Sequence, residues 1–337
     1  MSQMIPFRYL WLLVLLVLVM LAGCRKSPDV GASWFWRAGS FYGVAYGASQ
    51  FMAVGDGSAV LTSPEGVTWT PRTSGTPSEL YGIAHGGGQF VAVGDGGAVL
   101  TSPDGVAWTP PISGTGSWLG GVAYGGDQFV AVGDDSTVLT SPDGVTWTPR
   151  TSGTPNTLWS VAYGISQFVA VGDDGTVLTS PDGVAWTSQT SDAGTWLHGI
   201  AYGGGRFVAV GFAGTILTSP DGVTWTPRTS GTPNTLWSVA YGISQFVAVG
   251  DDGTVLTSPD GVTWTPRTSG TSNSLRGVAY GGGRFVAVGA DGTILTSPDG
   301  VTWTSQTSGT SNTLWSVAYG GGRFVAVGAD GTILTSP

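Results

Sequence analysis

A glycine returns every 39 residues, at Gly55, Gly94, Gly133, Gly172, Gly211, Gly250, Gly289 and Gly328, without one slip. Each closes the same apolar phrase, complete in Phe168-Val169-Ala170-Val171-Gly172. A unit of this size cannot bury its apolar face alone, so eight of them in register must stack on one another. Solenoids, propellers and linear arrays satisfy that requirement. A chain of independent domains does not.

The interior of one repeat reads as four short strands, A to D. Leu158 to Tyr163 is strand A, ended by Gly164, and Gln167 to Val171 is strand B. Asp174-Gly175 is a two-residue hairpin signal, because glycine accepts positive φ without steric cost. Thr176 to Thr179 forms strand C, and Ser180-Pro181-Asp182-Gly183 has the residues of a tight turn. Val184 to Thr187 is assigned to strand D, and a polar loop leads to the next strand A. No helical period runs through the repeat. Only 10% of residues are charged, while glycine, serine and threonine abound, which suits strands and turns.

Four antiparallel strands in about 40 residues make one blade of a β-propeller. Counting strand A at Phe41, Leu80, Leu119, Leu158, Leu197, Leu236, Leu275 and Leu314 gives eight blades. The expected fold is therefore all-β: a single eight-bladed propeller over residues 27–337. The chain stops at Pro337 after a strand C, while Ser27 to Trp34 supplies a turn and a strand-D tryptophan. The N-terminal strand is thus expected to complete the last blade and close the ring, removing free sheet edges. Pro71-Arg72, Pro149-Arg150, Pro227-Arg228 and Pro266-Arg267 sit on outer strands, where proline and charge discourage edge-to-edge pairing.

Residues 1–23 are of another kind. Arg8 precedes the apolar run Tyr9–Leu21, which is short for a bilayer span and suited to a secretory leader. Leu21-Ala22-Gly23-Cys24 resembles the lipobox of bacterial lipoproteins. The resemblance implies a signal peptide over 1–23, a lipid on Cys24 and a lipidated N-terminus over 24–26. Cys24 is the only cysteine, so no disulfide competes for it. Arg25 after the cysteine favours an outer-membrane location by analogy with lipoprotein sorting. The formal net charge of −9 argues against nucleic acid as a partner.

The segment Ser27-Pro28-Asp29-Val30-Gly31-Ala32-Ser33-Trp34 resembles the Asp-box of bacterial neuraminidase repeats. Internal copies such as Ser102-Pro103-Asp104-Gly105-Val106-Ala107-Trp108 move the acid by one place. In that family the box ties a hairpin, which implies a structural role for Asp104, Asp143, Asp182, Asp221, Asp260 and Asp299. The whole repeat is also similar to the propeller of photosystem II assembly factors, a family usually seven-bladed.

Residues 139–184 and 217–262 are identical, so part of the ring is a copy of another part. Copied positions cannot build a unique asymmetric site; positions that differ between blades can. The clearest follows the strand-A leucine or phenylalanine: Tyr42, Tyr81, Gly120, Trp159, His198, Trp237, Arg276 and Trp315. Beside Gly120 and His198 a tryptophan stands just upstream, at Trp118 and Trp196. Strand A lines the channel of a propeller, so these residues are expected to ring one mouth, with hairpin acids Asp56, Asp95, Asp134, Asp173 and Asp251 beside them. Such a rim suits a sugar ring, a peptide or a cationic group. The competing reading has the aromatics wedging between blades and the acids capping turns.

A neuraminidase-like site would need three arginines on one carboxylate, and only Arg276 falls on the mouth. Glu65 and Glu79 are the only glutamates, and Glu65 replaces a turn aspartate. His85 and His198 stand in different blades, without metal-ligand spacing. The expectation is a non-catalytic, monomeric binding or assembly scaffold with no cofactor or metal, engaging a protein or glycan. The alternatives are a glycan-processing hydrolase and a purely structural surface repeat.

Overall fold

The computed structural model describes residues 39–110 and 113–337. Cys24 and the closing segment Ser27–Trp34 lie outside the described residues. Eight antiparallel sheets follow one another along the chain, each with its strands in sequential order. Among the described residues six have four strands, the blade at Leu80–Ser102 has three plus an isolated bridge, Thr101 to Thr109, and the last blade has three, ending in Ile333–Thr335.

In the blade expected above, strands A to D are Leu158–Gly164, Gln167–Gly172, Val177–Ser180 and Thr187–Gln189. Strand D thus starts later than the expected Val184. The reason is local: the Asp182 carboxylate accepts hydrogen bonds from the Val184 and Ala185 amides at 2.9 and 3.1 Å. Those amides are engaged in an Asx-type turn and cannot join a ladder. Ser180 Oγ adds a third bond to the same oxygen, and Trp186 Nε1 donates to the Gly183 carbonyl. Asp104, Asp143, Asp221, Asp260 and Asp299 repeat the arrangement.

The hairpin between B and C turns at Asp174 (φ 51, ψ 32) and Gly175 (φ 69), closed by the Thr176 amide on the Asp173 carbonyl. Both central residues are left-handed, as the expected hairpin type requires.

Alternation along strand B explains the stacking. Phe168 and Ala170 face the preceding blade, where they meet Val130, Val132 and Val138; Val169 and Val171 face the next, against Leu197, Phe207 and Leu217. Each seam is a buried apolar cluster of this kind. The ring closes through one of them, since Val325 and Val327 of the last blade pack with Phe41, Phe51 and Trp69 of the first. The Thr335 hydroxyl also donates to the Gly66 carbonyl across that seam. Polar ties run between other neighbours, with the Gln50, Gln128, Gln167 and Gln245 amides donating to the carbonyls of Asp104, Asp182, Asp221 and Asp299.

Candidate binding site at the channel mouth

Strand A carries a defect at the same place in every blade. Leu158 pairs with Gly172 and Ser160 with Val171, which leaves Trp159 as an extra residue without a partner. The other seven blades have the same break. A bulge of this type re-aims the side chain that it carries. Every residue singled out after the strand-A apolar residue, from Tyr42 to Trp315, occupies this bulge.

The 39-residue glycine makes the bulge possible. Gly172 is extended (φ −164), so its backbone is open to any residue, but space is not. A Cβ there would stand 1.9 Å from the Thr157 carbonyl oxygen, and the seven equivalents meet a carbonyl at 1.8–2.1 Å. The amide after the glycine uses that close approach, since Asp173 N donates to Thr157 O at 3.0 Å.

The bulged side chains, with Trp118 in the place of the one that Gly120 lacks, form a row across successive blades. Ring centroids are 5.1 Å apart for Tyr42 and Tyr81, 5.5 Å for Tyr81 and Trp118, and 5.4 Å for Trp118 and Trp159. His198 is edge-on to Trp159 at 6.3 Å and stacks on Trp237 at 4.5 Å. The Arg276 guanidinium lies over Trp237, 4.3 Å from its centroid. Beneath the row are two cavities of about 230 and 240 Å³. His198, Trp237, Arg276 and Trp315 line one; Tyr42, Tyr81, Gly120 and Trp159 line the other. Ser160 and Ser316 border both, so they are halves of one opening.

Carboxylates hold the row from behind. Trp159 Nε1 donates to Asp173 at 2.6 Å, and Trp237 Nε1 to Asp251 at 2.8 Å. Tyr81 donates to Glu79 at 2.7 Å. Burial pushes the Tyr42 phenol up to about 12, reinforced by its hydrogen bond to Asp56 and that group's charge. Tyr81 is pushed up for the same reasons, burial first and then Glu79. Burial lowers the pKa of His198 against the opposing pull of Asp173 and Asp251. Arg276 is unevenly satisfied: one terminal nitrogen lies 3.9 Å from Asp251, and its buried Nε has no partner among the described residues.

Trp118 and Trp196 occupy the same position in their blades but part company. A side chain at Gly120 would collide with the Trp118 ring at 2.0 Å, so the indole fills the place that glycine leaves. At the equivalent place His198 is already present. Trp196 stays out of both cavities, half exposed, against His198 and Phe212. Asp134 takes the Thr157 hydroxyl at 3.1 Å instead of an aromatic donor. His85 lies at the far end of strand A, packed on Phe90, with burial lowering its pKa. Among the described residues no group of three or more His, Cys, Asp or Glu is placed to hold a metal ion.

The fold and the row define an eight-bladed β-propeller with an aromatic mouth. No protein-family model matches the chain, and no curated protein matches it. Solved structures do. The computationally designed protein Ika8 superposes with a TM-score of 0.76 at 15% identity, covering 90% of this chain and 98% of its own. YCF48 from Cyanidioschyzon merolae gives 0.60 at 17% identity, with coverage of 90% and 98%. YCF48 bound to D1 peptide gives 0.58 at 18% identity, with coverage of 73% and 87%. At these identities the likeness is one of fold.

Proposed function

We propose that the chain is a non-catalytic binding or assembly scaffold that presents the aromatic mouth to a protein partner. The observation that carries this reading is the continuous row from Tyr42 to Trp237 over six blades, set by the strand-A bulge except where Trp118 stands in for Gly120. Aromatic side chains that combine apolar area with polar tips are the usual anchors of protein interfaces. A propeller of similar fold has been captured with a peptide, which supports a peptide-sized guest. Glycan stacking on the same row is the second reading, favoured by the edge of Trp315, 37% exposed beside a polar cavity.

The lipobox-like Leu21–Cys24 and the Asp-box-like turns complete the proposal: an exported propeller held at the cell envelope by lipid on Cys24. Labelled palmitate should enter the chain and be lost in Cys24→Ser. Peptide and glycan arrays test the mouth, with Trp159, Trp237 and Trp315 replaced together by alanine. Binding that survives the triple replacement overturns the mouth reading, and turnover of any glycoside overturns the non-catalytic one.

A further inference from the structure

The duplicated segments provide an internal comparison. Trp159 with Asp173 and Trp237 with Asp251 lie in identical stretches of sequence and make the same indole-to-carboxylate hydrogen bond. Their neighbours on the following blade differ. Trp237 carries the Arg276 guanidinium on its face, with Asp251 close to the same cation. Trp159 faces His198, which meets it edge-on and stacks on Trp237 instead. One copy of the pair therefore holds a cation supplied by the chain; the other opens onto a cavity of about 240 Å³ walled by Tyr42, Tyr81 and Trp159.

Resting on the mouth as the binding site, we propose that this half is a cation pocket that takes an arginine or lysine side chain of a protein partner. The physics is that seen at Trp237. A ring face attracts a cation through its quadrupole. A carboxylate accepting the N–H or O–H of the same ring draws that proton outward and makes the face more negative. Trp159 has Asp173 in this role, and Tyr81 has Glu79. No charged residue of either sign lines the cavity; the carboxylates of Asp56, Glu79, Asp95 and Asp173 stand one layer out, bonded to the ring tips or beside them. Planar guanidinium is the preferred guest, since it stacks on indole and remains charged at every accessible pH.

The test uses the full chain and two blocked tripeptides, acetyl-Gly-Arg-Gly-amide and its glutamine counterpart, by calorimetry and tryptophan fluorescence. The arginine peptide should bind at least about tenfold more tightly. Trp159→Leu and Asp173→Asn should each weaken it severalfold. His198→Arg should block it, because the chain then seats its own guanidinium on Trp159 as Arg276 does on Trp237; as Arg276 occupies the equivalent position, this variant keeps the fold. Equal affinity for the glutamine peptide, no binding in the millimolar range, or affinity unchanged by all three substitutions overturns the pocket. A partner that is lost on replacing Trp159, Trp237 and Trp315 yet is indifferent to charge leaves the mouth standing and removes only the cation pocket.

Discussion

The Trp118 indole occupies the space of the side chain that Gly120 lacks: a Cβ there would lie 2.0 Å from the ring. The row therefore stays aromatic at a blade whose bulge carries no side chain. Gly120→Ala should swing Trp118 out and break the contacts to Tyr81 and Trp159. Near-ultraviolet circular dichroism should lose the signal of the Trp118–Trp159 pair, with little change in far-ultraviolet signal. An unchanged aromatic spectrum would show that the row tolerates the methyl group.

Trp118 also marks the limit of what the residues announce by themselves. The eight blades and their hairpins were legible because Gly172 recurs at one fixed period and Asp174-Gly175 turns through its own backbone. The start of strand D was not, because the Asp182 carboxylate claims two amides that a strand pattern assigns to a ladder. Nor was the fate of Trp196, identical in position to Trp118, since it depends on whether residue 198 or 120 has a side chain. The bulge escaped notice because Gly172 looks like any turn glycine until the Thr157 carbonyl is placed against it.

That contact makes Gly172→Ala strongly unfavourable despite an ordinary φ. The obstacle is a backbone carbonyl, which cannot rotate away as a side chain could. A loss of about 2 kcal/mol is expected, as for overpacked cores, read as a shift of the denaturant midpoint.

Ile165 and Ile243 give the opposite expectation. Both are exposed at the A–B turn with φ 50, where other blades have mostly glycine. A β-branched residue pays about 1–2 kcal/mol in this region, more than the entropy that glycine adds to the unfolded chain. Ile165→Gly should raise the melting temperature, and a drop would mean that the side chain has a contact worth more than the strain.

Acid should act through the turn aspartates. Backbone N–H donors hold Asp143, Asp182, Asp221, Asp260 and Asp299 below the usual carboxylate range. A folded pKa below the unfolded one contributes stability above the unfolded value, near about 4, that is lost as pH falls through the folded value. Stability should be level from neutral pH to about 5 and decline below about 4. Asp182→Asn, which keeps an acceptor and removes the charge, should flatten part of that decline. Base should act through Tyr42, whose phenol at about 12 is raised by burial and Asp56, so stability falls as pH climbs from about 10. Absorbance titration of Tyr42→Phe should lack one late-ionising phenol.

The copied stretch 139–184 begins within one third strand and ends in the turn after the next. What was duplicated is thus an outer strand of one blade joined to the inner three of its neighbour, a link of chain that straddles a seam. Each link brings both halves of a joint, so a new one meets its neighbours with surfaces they already fit. A ring assembled this way can change its circumference by whole links and keep an apolar joint at every seam, while the bulge, the A–B turn and the B–C hairpin diverge outside the joints.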